Sequence, residues 1–119
     1  MQKAEPLSLP LWCQILRYAI MSIINFYSKV ERQININKRA EFVSPNQYGE
    51  KIEEHNDFPQ RYKVIIGKET FSGGLYKQPR PYYYFAVHKN GHNAFFNLVR
   101  NKEKFYVTVD LAKKIVHIE

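Results

Sequence analysis

The sequence predicts an α+β fold in which an N-terminal amphipathic helix packs on one face of an antiparallel meander of about five strands. Three observations predict it: helical apolar spacing before residue 30, period-two alternation after residue 60, and Asn90-Gly91 between two aromatic runs. Asn-Gly in that setting is a strong hairpin signal, because a type I′ turn needs positive φ at both central residues. A chain of 119 residues suits one domain, 1–119, with a single core.

The helix is predicted within residues 1–30. Its apolar residues recur at helical spacing, and they are Leu11, Trp12, Ile15, Leu16, Ala19, Ile20, Ile23, Ile24 and Tyr27. The stretch has about the length of a membrane span, but Gln14, Arg17 and Ser22 interrupt it, and charge at mid-span is costly. We therefore expect no membrane association and a soluble helix whose wide apolar face is buried against the sheet. A second copy of the helix, in a homodimer, is the alternative partner for this face.

Residues 31–60 are predicted to form an irregular connection. Pro45 and Pro59 interrupt any long regular element here, and asparagines typical of turns are scattered between them. Within the connection, Arg39 to Val43 is predicted as a short strand and Tyr48 to His55 as one or two helical turns.

Residues 61–119 are predicted to form the antiparallel sheet, because the apolar period changes to two. The strands outside the central hairpin are Tyr62 to Ile66, Lys104 to Asp110 and Ile115 to Ile118. Gly73-Gly74 predicts a bend, a bulge or a second tight turn. The hairpin itself is predicted from Tyr82 to Val99, centred on Asn90-Gly91.

A two-residue loop at Asn90-Gly91 fixes the register and divides the sheet into two faces. The first face is apolar and predicted to take the helix; it carries Tyr83, Phe85, Val87, Ala94, Phe96, Leu98, Phe105, Val107 and Val109. The second face carries Tyr82, Tyr84, Ala86, His88, Asn93, Phe95, Asn97, Val99, Lys104, Tyr106, Thr108 and Asp110. The second face is the predicted functional surface, unless residues 30–60 cover it.

Composition bounds the function. A chain that is 45% hydrophobic and 15% aromatic is too apolar to be disordered. The single cysteine, Cys13, excludes an intramolecular disulfide and a Cys-rich metal site and fits a cytoplasmic location, as does the lack of a signal-peptide pattern.

The net charge of +7 lies wholly in residues 61–119, which hold eleven Lys/Arg and four Asp/Glu. A basic half of this kind favours an anionic partner, either RNA or single-stranded DNA or an acidic protein.

The second face combines aromatic rings, amides and flanking positive charge. Rings stack on bases, amides bind base edges, and cations contact phosphates, so this combination is typical of nucleic-acid binding. The residues predicted to bind nucleic acid are Tyr82, Tyr84, Asn93, Asn97, Arg100, Lys104 and Tyr106.

One enzyme class fits the same face, a metal-independent ribonuclease of toxin type. RNA cleavage without metal needs a general base, a general acid and a cation for the developing phosphorane charge. His88 and Asp110 are the predicted catalytic residues. No metal or other cofactor is predicted, because His88 and His92 fall on opposite faces and no metal-ligand spacing is present.

Two other classes remain open. A protein-interaction module, such as an inhibitor or an immunity-type partner of a larger enzyme, would use the same Tyr/Asn-rich face, since tyrosine gives contact area at low entropy cost. A ligand-binding protein would instead have a pocket lined by tyrosines between the helix and the sheet.

Overall fold

The computed structural model describes residues 10–12, 22–30, 39–79 and 82–119. Its elements in chain order are β1 (Ile23–Lys29), β2 (Glu41–Val43), α1 (Gly49–His55), β3 (Gln60–Ile66), β4 (Glu69–Lys77), β5 (Tyr83–Val87), α2 (His92–Val99), β6 (Lys104–Asp110) and β7 (Ile115–Ile118). A short 3-10 turn precedes each helix, at Asn46–Tyr48 and at Lys89–Gly91. The described part of the chain is therefore mostly strands.

All seven strands form one mixed sheet in the order β1-β6-β7-β3-β4-β5-β2, with only the β3–β7 pair parallel. The sheet curls until its two edges approach each other. The rings of Phe26 in β1 and Phe42 in β2, the two edge strands, lie 6.2 Å apart between centroids. The Tyr48 hydroxyl bridges the remaining gap by donating to the carbonyl oxygen of Asn25 at 2.9 Å. The result is a nearly closed, barrel-like sheet rather than the predicted five-stranded antiparallel meander.

The predicted N-terminal helix is wrong at its C-terminal end. Ile23–Lys29 forms the edge strand β1, in which Ile24 and Phe26 are buried and their neighbours Ile23, Asn25 and Tyr27 are exposed. The apolar residues of this segment fit a strand as well as a helix. The strand forms because pairing with β6 also gives its backbone N–H and C=O groups hydrogen-bond partners. Leu11 and Trp12 are helical and exposed, whereas residues 13–21, with Cys13 and most of the predicted apolar stripe, lie outside the described residues. No amphipathic N-terminal helix packs on the sheet in the part of the chain that is described.

The predicted Asn90-Gly91 hairpin is also wrong. Asn90 lies in the 3-10 turn before α2, and positive φ occurs among the described residues only at Gly67 and Lys114. Gly91 is required there for space, since a Cβ atom would lie 2.6 Å from Val87 Cγ1 and 2.9 Å from Phe71 Cγ. The run after it forms the helix α2, because helical spacing buries Phe95 and Val99 together on one side.

The connectivity explains why a helix follows β5. Three strands, β7, β3 and β4, separate β5 from β6 in the sheet, so no tight turn can join them. The two-residue hairpin turn lies instead at Gly67-Lys68, where Gly67 has φ +63°. Gly73-Gly74 is not a turn but runs through the middle of β4. The predicted strands at Tyr62–Ile66, Lys104–Asp110 and Ile115–Ile118 are confirmed, as are the short strand and the helical turns within residues 31–60.

The core lies on the concave side of the sheet and is built around aromatic rings. Phe95 of α2 packs edge-on against Phe105, and Phe42 stacks on Phe85. The predicted apolar face is confirmed at its strand positions, because Tyr83, Phe85, Val87, Phe105, Val107 and Val109 are all buried. It is wrong in α2, where Phe95 and Val99 are buried and Ala94, Phe96 and Leu98 are only partly so.

A buried polar network fastens α1 to the turn between β6 and β7. The Asn56 amide donates to the Ile52 carbonyl at 2.8 Å, and its Oδ1 accepts from the Tyr62 hydroxyl at 2.7 Å and from Lys114 Nζ at 3.0 Å. Burial raises the pKa of Tyr62 and lowers that of Lys114. Within the described residues, no helix is long and apolar enough to cross a membrane.

Candidate functional site

The convex side of the sheet, which we call the outer face, carries most of the polar and aromatic side chains of interest. Alternation along each strand turns every second side chain onto this face, away from the core. Two groups of side chains stand out on it. The β4–β5 patch consists of Ser72, Tyr76, Tyr82, Tyr84 and His88, and the β1–β6 patch consists of Tyr27, Lys29, Lys104 and Tyr106.

The β4–β5 patch is organised by stacked tyrosines. Tyr76 and Tyr84 are register partners whose rings lie 5.2 Å apart at 19°. The Tyr76 ring folds over Gly74, where a Cβ atom would lie 2.8 Å from the Tyr76 hydroxyl oxygen. Tyr82 extends the group, with its ring 6.5 Å from that of Tyr84 and 39% of its surface exposed. The glycine therefore leaves room for an aromatic platform on the outer face.

His88 is held by hydrogen bonds at both ring nitrogens. The Ser72 hydroxyl donates its single proton to Asn90 Oδ1 at 3.4 Å, so its oxygen accepts from His88 Nδ1–H at 3.3 Å. That assignment leaves Nε2 as an acceptor, and it accepts from the Tyr76 hydroxyl at 3.1 Å. The half-buried imidazole thus has its basic nitrogen aimed at a tyrosine hydroxyl.

Two cations lie beside this patch on β3. Lys63 is the register partner of Ser72, and Arg61 is the register partner of Gly74. Both alternate with the buried residues Tyr62 and Val64, so their side chains leave the sheet on the outer face. Both are exposed, and neither forms an ion pair with another described residue. Their charge is therefore available to an anion beside His88.

The β1–β6 patch joins an aromatic pair to two lysines. Tyr27 is 62% exposed and its ring lies 4.9 Å from that of Tyr106. Lys104 places its Nζ 4.5 Å from the centroid of the Tyr27 ring, and Lys29 is the register partner of Lys104. Three strand spacings and about eight residues separate Tyr106 from Tyr76, or roughly 30 Å across the outer face.

The structure does not bring the predicted catalytic pair together. His88 and Asp110 both lie on the outer face, but four strand spacings separate them, about 19 Å along the curved sheet. Asp110 has a different role, since its Oδ1 accepts from the backbone N–H groups of Ala112 and Lys113 and shapes the turn before β7. The sequence placed both residues on one face correctly but could not fix the strand order between them.

The predicted nucleic-acid-binding residues fall in three places. Tyr82 and Tyr84 belong to the β4–β5 patch, and Lys104 and Tyr106 belong to the β1–β6 patch. Asn93 and Asn97 were assigned to the same sheet face but lie exposed on α2, and Arg100 follows that helix. Arg100 donates to Asn97 Oδ1 at 3.0 Å, a local contact within one helical turn.

Sequence reasoning missed four residues of the two patches: Tyr27, Lys29, Ser72 and Tyr76. Tyr27 was assigned to the N-terminal helix, and Ser72 and Tyr76 flank Gly73-Gly74, which predicted a bend, a bulge or a second tight turn. Unbroken alternation from Tyr62 to Ile66 points to a hairpin partner after Gly67, which was the available signal for Ser72 and Tyr76.

An open depression lies elsewhere, lined by Gly49, Glu50, Glu53, Glu54 and Tyr83. Glu53 is hydrogen-bonded to Lys77, which lowers the pKa of the carboxyl and raises that of the amine. Its carboxylates are exposed, and the ion pair with Lys77 keeps the Glu53 carboxyl charged, so this group is not suited to donate a proton.

Among the described residues, no three His, Cys, Asp or Glu side chains are placed to hold a metal ion. His92, for example, donates from Nε2 to the Val87 carbonyl at 3.0 Å and lies edge-on to Phe96. Comparison with protein-family models, with curated proteins and with solved structures finds no match for this chain.

Proposed function

We propose that this protein binds single-stranded nucleic acid on its outer face. One observation carries the proposal: two tyrosine pairs, Tyr27–Tyr106 and Tyr76–Tyr84, lie on the same convex surface, each beside lysine or arginine. Aromatic rings stack on bases and cations contact the backbone, which is the general arrangement of proteins that bind single strands.

A single strand fits this surface better than a duplex. Stacking on Tyr27 requires an unpaired base, because bases inside a duplex present only their edges in the grooves. Tyr27 is 62% exposed, although Lys104 Nζ lies 4.5 Å from the centroid of its ring. The exposed cations Lys63 and Arg61 lie on β3, in the central part of the sheet that the two tyrosine pairs flank.

The experiment is a salt titration of oligouridine binding, followed by fluorescence anisotropy. Each phosphate that the protein neutralises contributes about −0.7 to the slope of log K against log salt for a single strand. Replacing Lys104 by Ala is expected to weaken binding and reduce the slope by about 0.7. Lys68→Ala is the matched control, since Lys68 is an exposed lysine in the β3–β4 turn and belongs to neither patch.

A competition experiment with polyglutamate distinguishes binding that needs base stacking from binding that depends on negative charge alone. Polyglutamate carries negative charge but has no bases, so an excess of it is expected to leave most of the oligouridine bound. No binding at low salt, or unchanged binding in both Lys104→Ala and Tyr27→Ala, would contradict the proposal.

A protein-interaction module is the second candidate, and one observation favours it. Val43 is 52% exposed on the three-residue edge strand β2, where it is the register partner of Tyr84, and Tyr82, two residues before Tyr84, is 39% exposed. Exposed apolar and tyrosine surface of this kind is typical of protein interfaces. Displacement of oligouridine by polyglutamate at equal charge concentration would favour an acidic protein as the partner.

A further inference from the structure

We propose that the β4–β5 patch is an acid–base site that cleaves RNA by transesterification at the 2′-hydroxyl. The inference rests on the proposed function and deepens it, because it selects RNA over DNA as the substrate. The juxtaposition that carries it is the His88 imidazole between Tyr76 and Ser72, with Arg61 and Lys63 on the adjacent strand.

His88 supplies the base. When the Ser72 proton is donated to Asn90 Oδ1, Nδ1 carries the imidazole proton and Nε2 is a lone-pair acceptor, which is the form a general base needs. In the free protein Nε2 accepts from the Tyr76 hydroxyl, so a ribose 2′-hydroxyl reaches the half-buried imidazole by replacing Tyr76 as the donor to Nε2. The nearby Tyr84 stacks on Tyr76 and offers its ring edge to a base of the bound strand.

Tyr76 supplies the acid. Its hydroxyl lies 3.1 Å from His88 Nε2, within hydrogen-bond reach, so one proton can pass between the two groups. The hydroxyl takes this position because the ring lies across Gly74, where any other residue would place a Cβ atom within 2.9 Å of it. The backbone of β4 therefore sets the geometry of the pair.

The reaction balances without a co-reactant. His88 Nε2 takes the proton of the 2′-hydroxyl as O2′ attacks phosphorus and forms the P–O2′ bond. The P–O5′ bond breaks, and the leaving O5′ takes the proton of Tyr76. His88 then returns the proton that it accepted to the Tyr76 oxygen. The products are a 2′,3′-cyclic phosphate and a 5′-hydroxyl, and both side chains end as they began.

The adjacent cations stabilise the charge that develops on the phosphate. Two negative charges accumulate on the non-bridging oxygens as the phosphorane forms, and fixed positive charge stabilises that state more than the starting phosphodiester. Lys63 is opposite Ser72, two strand spacings from His88, and Arg61 is opposite Gly74, one strand spacing from the place where the Tyr76 hydroxyl lies over that glycine.

The test uses the full chain with a fluorescent oligouridine RNA, in excess EDTA, with product ends identified by mass. We expect a 2′,3′-cyclic phosphate and a 5′-hydroxyl, and no cleavage of the 2′-deoxy oligonucleotide. His88→Ala is expected to lower the rate at least about 100-fold, the usual contribution of a general base. His117→Ala is the matched control, because His117 is a half-buried histidine on the same face between Thr108 and Ile65.

Tyr76→Phe is the second variant, since it keeps the stacked ring and removes only the hydroxyl, and it is expected to lower the rate by a similar factor. Cleavage at the wild-type rate in either folded variant would overturn the proposal, as would products with 3′-hydroxyl ends or loss of cleavage in EDTA. Binding of the 2′-deoxy oligonucleotide is measured separately. Binding without any RNA cleavage overturns the acid–base site alone, whereas absence of binding overturns the proposed function.

Discussion

The ring of Phe95 in α2 packs edge-on against the ring of Phe105 in β6, with centroids 5.5 Å apart and planes at 87°. Phe95 also lies parallel to Phe42 of β2, at 6.4 Å. This single helix residue therefore contacts strands near both edges of the curled sheet. Phe96, one position along, is only partly buried and lies edge-on to His92.

Phe95→Ala is expected to lower the free energy of unfolding by about 3–5 kcal/mol, because it opens a cavity between α2 and both halves of the sheet. Phe96→Ala is expected to cost clearly less, since its side chain loses less buried surface. Urea denaturation of the two variants measures the difference. A hairpin through Asn90-Gly91 would place Phe96 in the core and reverse this order, so the pair distinguishes the two structures.

That pair also shows what the sequence could and could not predict. The strands at Tyr62–Ile66, Lys104–Asp110 and Ile115–Ile118 were predictable, because each alternates clearly and is bounded by turn residues. The run from His92 to Val99 was not, because a short apolar run fits period two and period 3.6 equally well. Strand order decides such cases, since joining β5 to β6 needs a crossover that no local pattern encodes.

The candidate site follows the same rule. Alternation along β5 and β6 predicts which of their side chains face outward, and the structure agrees for Tyr84 and Tyr106. Alternation does not predict which strands lie next to each other, so the sequence paired His88 with Asp110 rather than with Tyr76. Neighbours across a sheet depend on pairing between distant segments, and here the mixed sheet inserts β7, β3 and β4 between β6 and β5.

Stability is expected to fall as the pH rises above about 10. Burial raises the pKa of Tyr62, whose hydroxyl donates to Asn56 at 2.7 Å, so the folded protein keeps a proton that the unfolded chain releases near pH 10. The loss is up to about 1.4 kcal/mol per pH unit for this residue. Lys114 has the opposite effect: its contribution to stability rises with pH just below 10.5. Burial lowers its pKa, so in this range the unfolded chain holds the Lys114 proton more readily than the folded protein does.

Tyr62→Phe isolates this contribution. The variant is expected to be less stable at pH 7 by about 1 kcal/mol, the cost of a lost hydrogen bond, because Asn56 Oδ1 still accepts from Lys114. Its stability is expected to fall less steeply above pH 10 than that of the wild type. Urea denaturation at several pH values measures both effects, and equal alkaline slopes would show that Tyr62 is not protected when the chain is folded.

Gly74→Ala is expected to disturb the outer face while leaving the fold intact. The new Cβ atom would lie 2.8 Å from the Tyr76 hydroxyl oxygen and 2.9 Å from two ring carbons, so the ring must swing away from His88. We expect changed histidine ring signals by NMR, a loss of RNA cleavage and a small change in melting temperature.

Gly67→Ala is the contrasting variant. Nothing lies within 4 Å of its Cβ position, but the residue has φ +63°, which alanine adopts only with strain. It is expected to cost about 1 kcal/mol of stability without changing the His88 signals. Unchanged His88 signals in Gly74→Ala would show that Tyr76 does not depend on the glycine for its position.

The separation of the two tyrosine pairs predicts how affinity depends on RNA length. An oligonucleotide of about 16 residues can reach both patches, roughly 30 Å apart, whereas one of about 4 can occupy only one. Tyr27→Ala and Tyr84→Ala should each weaken the binding of the long RNA by about 1–3 kcal/mol, the contribution of one stacked base. The short RNA can bind at either patch, and each variant leaves the other patch intact. Its apparent affinity should therefore fall only about twofold if the two patches bind it equally well. Anisotropy titrations with both lengths measure this, and equal losses at the two lengths would mean that a strand does not bridge the patches.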